Sequence, residues 1–237
     1  MPDELGKDSD RLKRAAAQSA VAQVTDGMIL GLGSGTTSAI AVEILGQRVR
    51  GGLRVVGIPT SETIAAQARS LGIPLAGLDE CPHIDMTIDG ADRVDERNLN
   101  LIKGRGGALL REKLVATASK RLVIAVHDSK VVSHMSVAEP IPVEVVPFGW
   151  QSTAGRLAVL GARWEIRPDS NGNPFVSDGG HFILDCTFDT GIPAEALAAE
   201  LDHVVGLVEH GLFIGLASEV HVAAPDGVRV LKRPDCS

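Results

Sequence analysis

The first half of the chain alternates short apolar runs with helical segments, and this alternation limits the possible folds more than any other feature. In chain order the segments are helix 11–24, strand 28–33, helix 36–47, strand 53–60, helix 61–72, strand 84–89, helix 108–120 and strand 121–128. Strands that are separated by helices pair in parallel, and the helices then cover both faces of the sheet. The sequence therefore predicts an α/β fold built on a parallel sheet.

The pattern changes near Met135. Prolines at 140, 142 and 147 disfavour a central parallel strand in this stretch. The segments that follow indicate a small antiparallel α+β unit and then closing strands: helix 151–161, strands 163–167, 174–177 and 181–186, helix 193–204, and strands 211–216, 219–224 and 228–233. We expect a large domain over 1–136 and 206–237 and a small α+β domain over 137–205.

Composition excludes several classes of protein. The 237 residues carry a net charge of −7, show no long run of Lys or Arg, and include 3% aromatic residues with no Tyr, which argues against nucleic-acid binding. No uninterrupted apolar stretch reaches the roughly 18 residues of a membrane span. Cys81, Cys186 and Cys236 are widely spaced and odd in number, and the charged N-terminus has no apolar core, so we expect a cytoplasmic protein.

Ligands of open parallel sheets bind beyond the carboxyl ends of the strands. The first predicted strand leads through GLGSGTT into a helix, where Ser34, Gly35, Thr36 and Thr37 place hydroxyl groups beside the free N–H groups of the helix start. This turn suits one phosphate group, although a capped turn without a ligand is the alternative. It has neither the lysine of a Walker A loop nor the third glycine of a dinucleotide fingerprint.

The third predicted strand ends in DGAD, which comprises Asp89, Gly90, Ala91 and Asp92. Two carboxylates at this spacing can hold sugar hydroxyls or relay protons. The alternative is an Asx turn, because Asp and Gly are favoured turn residues. No histidine or further acid lies nearby at metal-ligand spacing, so we expect no metal.

The segment KGRGGALLREK, 103–113, joins a glycine-rich loop to a largely apolar helix that carries Glu112. No basic residue lies three or four positions from Glu112, so its carboxylate either pairs with a distant residue or serves catalysis. Lys103 either neutralises a substrate oxygen or is an exposed loop lysine. After the fourth strand, HDSK brings Lys130 towards the same crevice unless that side chain is solvated.

Together with VEVVPF, GLFIGLA and PDGV, these motifs resemble ribose-5-phosphate isomerase type A over nearly the whole chain. KGRGGALLREK in combination with DGAD is the specific part of the resemblance. The resemblance implies a Rossmann-like large domain, a ferredoxin-like small domain and a homodimer or homotetramer. It implies interconversion of D-ribose 5-phosphate and D-ribulose 5-phosphate through an enediolate, without metal or cofactor, in the non-oxidative pentose phosphate pathway.

The resemblance also assigns roles to individual residues. It makes Glu112 the general base, and Lys103 and Asp89 suit stabilisation of the enediolate and transfer of a hydroxyl proton. The implied substrate contacts are Lys13, Ser34, Gly35, Thr36, Thr37, Asp89, Gly90, Ala91, Asp92, Lys103, Gly104, Arg105, Gly106 and Lys130.

The chain departs from the family pattern at two places. Arg93 stands where the family usually has Glu, which changes the local field and bears on pH optimum and substrate affinity. SDGGH at 177–181 replaces the common Asp-Asn-Gly-Asn and is interpreted as a turn variant.

Two kinds of alternative function remain at this level. One is another enzyme of related fold: a sugar-phosphate deaminase, a lactonase or a coenzyme A transferase with a glutamate nucleophile. The other is a sugar-phosphate-sensing module, which would be joined to a helix-turn-helix, and no basic helix of that kind is visible.

The absence of metal-ligand spacing around DGAD generates a first prediction. Prolonged treatment with EDTA should leave the isomerase rate unchanged, because proton transfer by carboxylates needs no Lewis acid. The rate should be measured on the untreated enzyme, on the enzyme in the presence of EDTA, and again after the chelator has been removed. Loss of activity that one divalent ion restores would show that metal coordination is required.

Overall fold

The computed structural model describes residues 2–188 and 191–233, so Cys236 lies outside the described residues. The helices of the described chain are α1 Pro2–Val21, α2 Thr36–Arg50, α3 Glu62–Ser70, α4 Leu109–Thr117, α5 Trp150–Val159 and α6 Ala194–Leu201. Its strands are β1 Ile29–Leu32, β2 Val56–Pro59, β3 Met86–Asp89, β4 Arg93–Asp95, β5 Leu101–Ile102, β6 Leu122–His127, β7 Val131–Val132, β8 Ile141–Val145, β9 Arg163–Ile166, β10 Phe182–Thr187, β11 Leu207–His210, β12 Leu212–Phe213, β13 Ala217–Ala224 and β14 Gly227–Lys232. Within this part of the chain, no helix is both long enough and apolar enough to cross a bilayer.

The main sheet has six strands in the order β14-β13-β6-β3-β1-β2. Its neighbours from β2 to β13 pair in parallel, and β14 adds an antiparallel edge. Side chains of β6 alternate between two cores: Val123 and Ala125 pack with α1 and α2, whereas Ile124 and Val126 pack with β5 and β12. Both faces are therefore covered, and the predicted α/β class with a parallel sheet is confirmed.

A second sheet, β11-β8-β10-β9, is antiparallel throughout. Together with α5 and α6 it follows the chain order βαββαβ, which is the ferredoxin-like arrangement. Its core includes Val143, Leu157, Leu184 and Leu197. Because β11 pairs with β8, we propose that the small domain extends to residue 210 and not to the expected 205.

Some short elements differ from the prediction. β8 contains Pro142, and the strand is possible because its neighbours are antiparallel and the Pro142 carbonyl still accepts a hydrogen bond from Gly211 N, at 2.7 Å. Residues 174–177 form isolated bridges and no strand. A third sheet, β12-β5-β4-β7, joins strands of two or three residues, which are too short to produce a recognisable sequence period. Ser61 caps α3, because its hydroxyl accepts the N–H of Ile64.

Gly31 in the centre of the main sheet has no space for a side chain. A Cβ there would lie 1.8 Å from Thr87 Oγ1 and 2.6 Å from Val115 Cγ1. Gly31→Ala should lower the free energy of unfolding by about 1–3 kcal/mol, the usual cost of overpacking a core. Gly155→Ala in α5 is the matched control, because a Cβ there meets nothing within 4 Å and alanine favours a helix. Equal urea midpoints for the two variants would contradict this packing argument.

Candidate active site

A cavity of about 260 Å³ lies at the carboxyl ends of β1, β3 and β6, where a parallel sheet is expected to bind its ligand. Most of the predicted site residues line it, and Asp89 lies beneath it, bonded to Lys103. Arg105 does not line the cavity, whereas Ser9, Val126 and His127, which were not predicted, do. The full lining is Ser9, Lys13, Ser34, Gly35, Thr36, Thr37, Gly90, Ala91, Asp92, Lys103, Gly104, Gly106, Glu112, Val126, His127 and Lys130.

Asp89, the last residue of β3, is almost fully buried. Its Oδ1 accepts hydrogen bonds from Ser34 N at 3.1 Å, Ser38 Oγ at 3.0 Å and Gly90 N at 2.7 Å. A Cβ on Gly33 would lie 2.1 Å from the same oxygen, so the glycine turn is required for the approach of this carboxylate. Gly33 in the GLGSG turn thus lets the end of β1 approach Asp89 of β3 closely, and this contact within the protein does not depend on a ligand.

The turn into α2 presents unused donors to the cavity. Gly35, the N-cap residue, has φ of 93°, and the first N–H groups of a helix have no intrahelical acceptor. Those groups and the positive end of the helix favour an anion. Ser34, Thr36 and Thr37 are the lining hydroxyl residues of this turn. The Ser34 hydroxyl also hydrogen-bonds the hydroxyls of Thr60 and Ser61 at 2.7 and 2.8 Å.

Two lysines add positive charge on the same side of the cavity. Lys13 comes from α1, and Lys130 ends a short 3₁₀ turn, Asp128–Lys130, that follows β6. Burial lowers the pKa of His127 between them, and the charges of Lys130 and Lys13 lower it further. The wall is therefore complementary to an anionic group even though the whole chain is acidic.

Lys103 forms the centre of the buried charge cluster. Its Nζ lies 2.8 Å from Gly90 O, 2.8 Å from Asp89 Oδ2 and 3.2 Å from Glu112 Oε1, and its side chain is 3% exposed. These three contacts use all three ammonium donors. Burial alone would lower the pKa of Lys103, but attraction to Asp89 and Glu112 outweighs it and raises the pKa. Lys103 is therefore a permanent cation and not an exposed loop lysine.

Glu112 has one oxygen in this ion pair and one oxygen free. Its Oε2 is buried and has no hydrogen-bond partner among the residues that the structure describes, and Glu112 lines the cavity. Burial raises the pKa of Glu112 to about 8, with Lys103 opposing the shift and Asp89 adding to it. The sequence left two alternatives for this carboxylate, an ion pair with a distant residue or a role in catalysis. The ion pair with Lys103 is present, and Oε2 is left as an unpaired oxygen at the cavity that is available for catalysis. Lys113 takes no part, because it bonds Glu209 and the carbonyl of His210.

The glycine loop before α4 is held from the small domain. Arg167 donates to the carbonyls of Gly104 and Arg105, each at 3.0 Å, and its Nε lies 2.9 Å from Asp185 Oδ2. Arg105 itself contributes its backbone N–H, which donates to Asp92 Oδ2 at 3.0 Å. The role of Arg167 was missed because no local motif marks a contact across more than 60 residues.

Arg93, the departure from the family pattern, is outside the cavity lining and pairs with Glu139. Its Nε donates to Glu139 Oε1 at 2.8 Å, and Glu139 also pairs with Arg105 at 3.5 Å. The charge of Arg93 contributes to the lowered pKa of Lys130, for which burial is the largest cause.

A possible metal cluster lies elsewhere, where Asp202, Glu209 and His210 place ligand atoms within 4.8 Å of one another. His210 Nδ1 accepts the N–H of Leu212, so a neutral ring carries its proton on Nε2, which lies 3.1 Å from Asp202 Oδ1. Glu209 is already paired with Lys113. One ligand atom of each residue is therefore already engaged within the protein.

A fixed anion-binding wall next to a basic carboxylate defines an α/β enzyme that moves protons on a small anionic substrate. Residues 56–227 match the family model described as ribose 5-phosphate isomerase A (phosphoriboisomerase A). Ribose-5-phosphate isomerase A of Synechococcus sp. (strain JA-3-3Ab) is 50% identical over 95% of this chain and 98% of its own, and that of Gloeobacter violaceus is 54% identical over 94% and 97%.

Solved structures agree with the family model and with these relatives. The ribose 5-phosphate isomerase A of Methanocaldococcus jannaschii has a TM-score of 0.90 at 38% identity, covering 95% of this chain and all of its own. A D-ribose-5-phosphate isomerase in complex with phospho-erythronic acid has a TM-score of 0.90 at 36% identity over 95% and 99%. The chain belongs to the ribose 5-phosphate isomerase A family and is an aldose–ketose isomerase, which confirms the resemblance seen in its sequence.

The charge cluster generates a stability prediction. Lys103→Met should lower the free energy of unfolding by about 3–5 kcal/mol, because it leaves buried carboxylates without their cation. The loss should be smaller in mildly acidic than in alkaline buffer, since the raised pKa of Glu112 lets that carboxylate become neutral as pH falls. Denaturant unfolding at both pH values measures this difference.

Lys120→Met is the matched control for that experiment. Lys120 also pairs with an aspartate at 2.8 Å, Asp85, but its side chain is 72% exposed. An exposed pair contributes less than about 1 kcal/mol. Equal losses in the two variants would show that burial of the Lys103 cluster is not what matters.

Proposed function

We propose that the chain interconverts D-ribose 5-phosphate and D-ribulose 5-phosphate by proton transfer through an enediolate. The observation that carries the proposal is the free, buried Oε2 of Glu112 at a cavity whose opposite wall favours a phosphate. The relative with phospho-erythronic acid supports it, because a carboxylate shares the planar geometry of an enediolate. A sensing module is not favoured, since binding alone needs no basic carboxylate held in this way.

At the phosphate end, the N–H groups at the start of α2 bind the phosphate oxygens, and the hydroxyls of Thr36 and Thr37 add donors. Lys13 and Lys130 neutralise its charge. These contacts lie away from the reacting carbons, so they supply binding energy that orients the substrate. Gly90, Ala91 and Asp92 line the wall where sugar hydroxyls bind.

At the reacting end, Glu112 Oε2 removes the proton from C2. The C2–H electron pair forms the C1–C2 double bond, and the carbonyl π pair moves onto the C1 oxygen to give the enediolate. The same carboxyl group returns the proton to C1, while a hydroxyl proton moves between the two oxygens. Lys103 stabilises the developing negative charge. Its longest contact, 3.2 Å to Glu112 Oε1, is the one that a substrate oxygen replaces most easily. Asp89 holds Lys103 in place from beneath the cavity.

We also propose a cytoplasmic homodimer or homotetramer that serves the non-oxidative pentose phosphate pathway. Exposed apolar side chains on the small domain support association, among them Phe148 at 95% and Val205 at 72% exposure. Cys186 is buried and Cys81 is partly buried, and both are free thiols, which suits a reducing compartment.

Glu112→Gln tests the proposal most directly. The amide keeps the shape but cannot accept a proton, so kcat should fall at least about a hundredfold while the substrate still binds. Wild-type kcat/KM should rise with pH towards about 8, because the protonated carboxyl group is inactive as a base and burial raises its pKa. The variant should lack this limb of the profile.

Glu43→Gln is the control, since Glu43 is also a helical glutamate paired with a cation, Arg14, at 2.8 Å, but does not line the cavity. It should retain the wild-type rate and profile. A folded Glu112→Gln enzyme with near wild-type kcat would refute the assignment of the base, and Asp89 would be examined next.

A further inference from the structure

The turn at 177–181, hereafter the docking turn, joins the small domain to two helices of the large domain. It is closed by hydrogen bonds from Ser177 N to His181 O at 2.9 Å and from Gly180 N to Ser177 O at 2.8 Å. At its tip, Asp178 Oδ2 accepts the backbone N–H of Glu62, the first residue of α3, at 2.9 Å. The docking turn is therefore more than a surface variant of the usual family sequence.

Arg111 connects the docking turn to the helix that carries the base. Its Nη2 donates to the Asp178 carbonyl at 3.2 Å, and its Nη1 lies 2.9 Å from Glu62 Oε1 and 3.7 Å from Asp178 Oδ2. Arg111 precedes Glu112 in α4, and consecutive helical residues point about 100° apart. The arginine thus fixes the outer side of α4 while Glu112 faces the cavity.

Glu144 supports the docking turn from within the small sheet. It is 1% exposed, and its Oε1 accepts Ser177 Oγ at 2.7 Å and contacts His181 Nδ1 at 3.0 Å. Its Oε2 is buried without a partner, as is that of Glu112. Glu144 lines a narrow void of about 10 Å³ with residues 107–108 at the start of α4 and residues 177–179. A carboxylate beside the positive end of a helix stabilises that end, and Ala108 provides no side-chain cap.

The need for such support follows from the helix itself. α4 has nine residues, and Leu114 on its outer face is 50% exposed. Isolated helices of this length are marginal in water, so tertiary contacts, those at the first turn included, determine where the helix lies. A shift of about 1 Å in a catalytic group can cost on the order of a hundredfold in rate.

We propose that Asp178 is a positioning residue for the isomerisation, acting through Arg111 to hold Glu112 against the cavity. The inference rests on the proposed role of Glu112 as the base. Asp178 contacts no substrate, because it lies outside the cavity lining. Its removal therefore affects catalysis and leaves the phosphate wall intact.

Asp178→Ala should lower kcat about tenfold or more while KM changes less than about twofold, the pattern of a misplaced base. Arg111→Ala should also lower kcat while KM changes little. This variant tests the proposal if Asp178→Ala does not fold. Asp178→Asn keeps an acceptor oxygen for Glu62 N and should recover most of the rate. Steady-state kinetics with ribose 5-phosphate, on variants whose fold is checked by circular dichroism, measure these effects.

Asp169→Ala is the matched control. Asp169 is another turn aspartate of the small domain, whose Oδ1 accepts the N–H groups of Asn171 and Asn173 at 2.8 and 2.9 Å. Its loss should change stability and leave kcat unaltered. The same loss of kcat in this control, or wild-type kcat in folded Asp178→Ala and Arg111→Ala, would overturn the proposal.

A double variant separates this inference from the proposed function. In the Glu112→Gln background, Asp178→Ala should cause no further loss of kcat, because groups that act as a unit are not additive. An additional tenfold loss would show that Asp178 acts independently of Glu112 and would overturn the positioning role. Failure of the proposed function itself shows separately, as near wild-type kcat in the single variant Glu112→Gln.

Discussion

The buried ammonium group of Lys103 is the interaction on which the rest of the site depends. It contacts two carboxylates, Asp89 and Glu112, in a region that is almost free of solvent. One cation cannot neutralise two anions, so the cluster keeps an excess of negative charge. That excess, added to burial, explains why Glu112 binds a proton more tightly than an ordinary glutamate. A basic carboxylate thus results from incomplete charge compensation.

The two domains contribute different parts of this arrangement. The parallel sheet fixes Asp89 and the anion-binding turn, because both follow strands whose carboxyl ends meet at one edge. The glycine loop and α4 approach from outside that sheet and depend on the small domain, through Arg167 and the docking turn. The small ferredoxin-like domain therefore holds a loop and a short helix of the site, although the described cavity is lined from the large domain.

The sequence predicted those features that local patterns encode. Periodicity and glycine turns indicated the parallel sheet and the edge at which its ligand is expected, whereas the family resemblance supplied Lys13, Gly104 and Gly106 of the cavity lining. Contacts between distant residues could not be read in this way. The partner of Glu112 is nine positions away and outside its helix, and Arg167 reaches Gly104 across the domains. The hydrogen bonds of the Ser34 hydroxyl to Thr60 and Ser61 are of the same kind, because they join residues more than 20 positions apart.

Hydrogen bonding distinguishes the base from its neighbour. Asp89 and Glu112 are both buried and both pair with Lys103, so burial and charge alone would allow either to accept a proton from carbon. Asp89 Oδ1 already accepts three donors, and its Oδ2 accepts the ammonium group. Both oxygens of Asp89 are therefore already engaged by donors of the protein. Glu112 Oε2 has no hydrogen-bond partner among the described residues. The same cation holds both carboxylates, and of the two Glu112 keeps an unused oxygen at the cavity, which is why we propose it as the base.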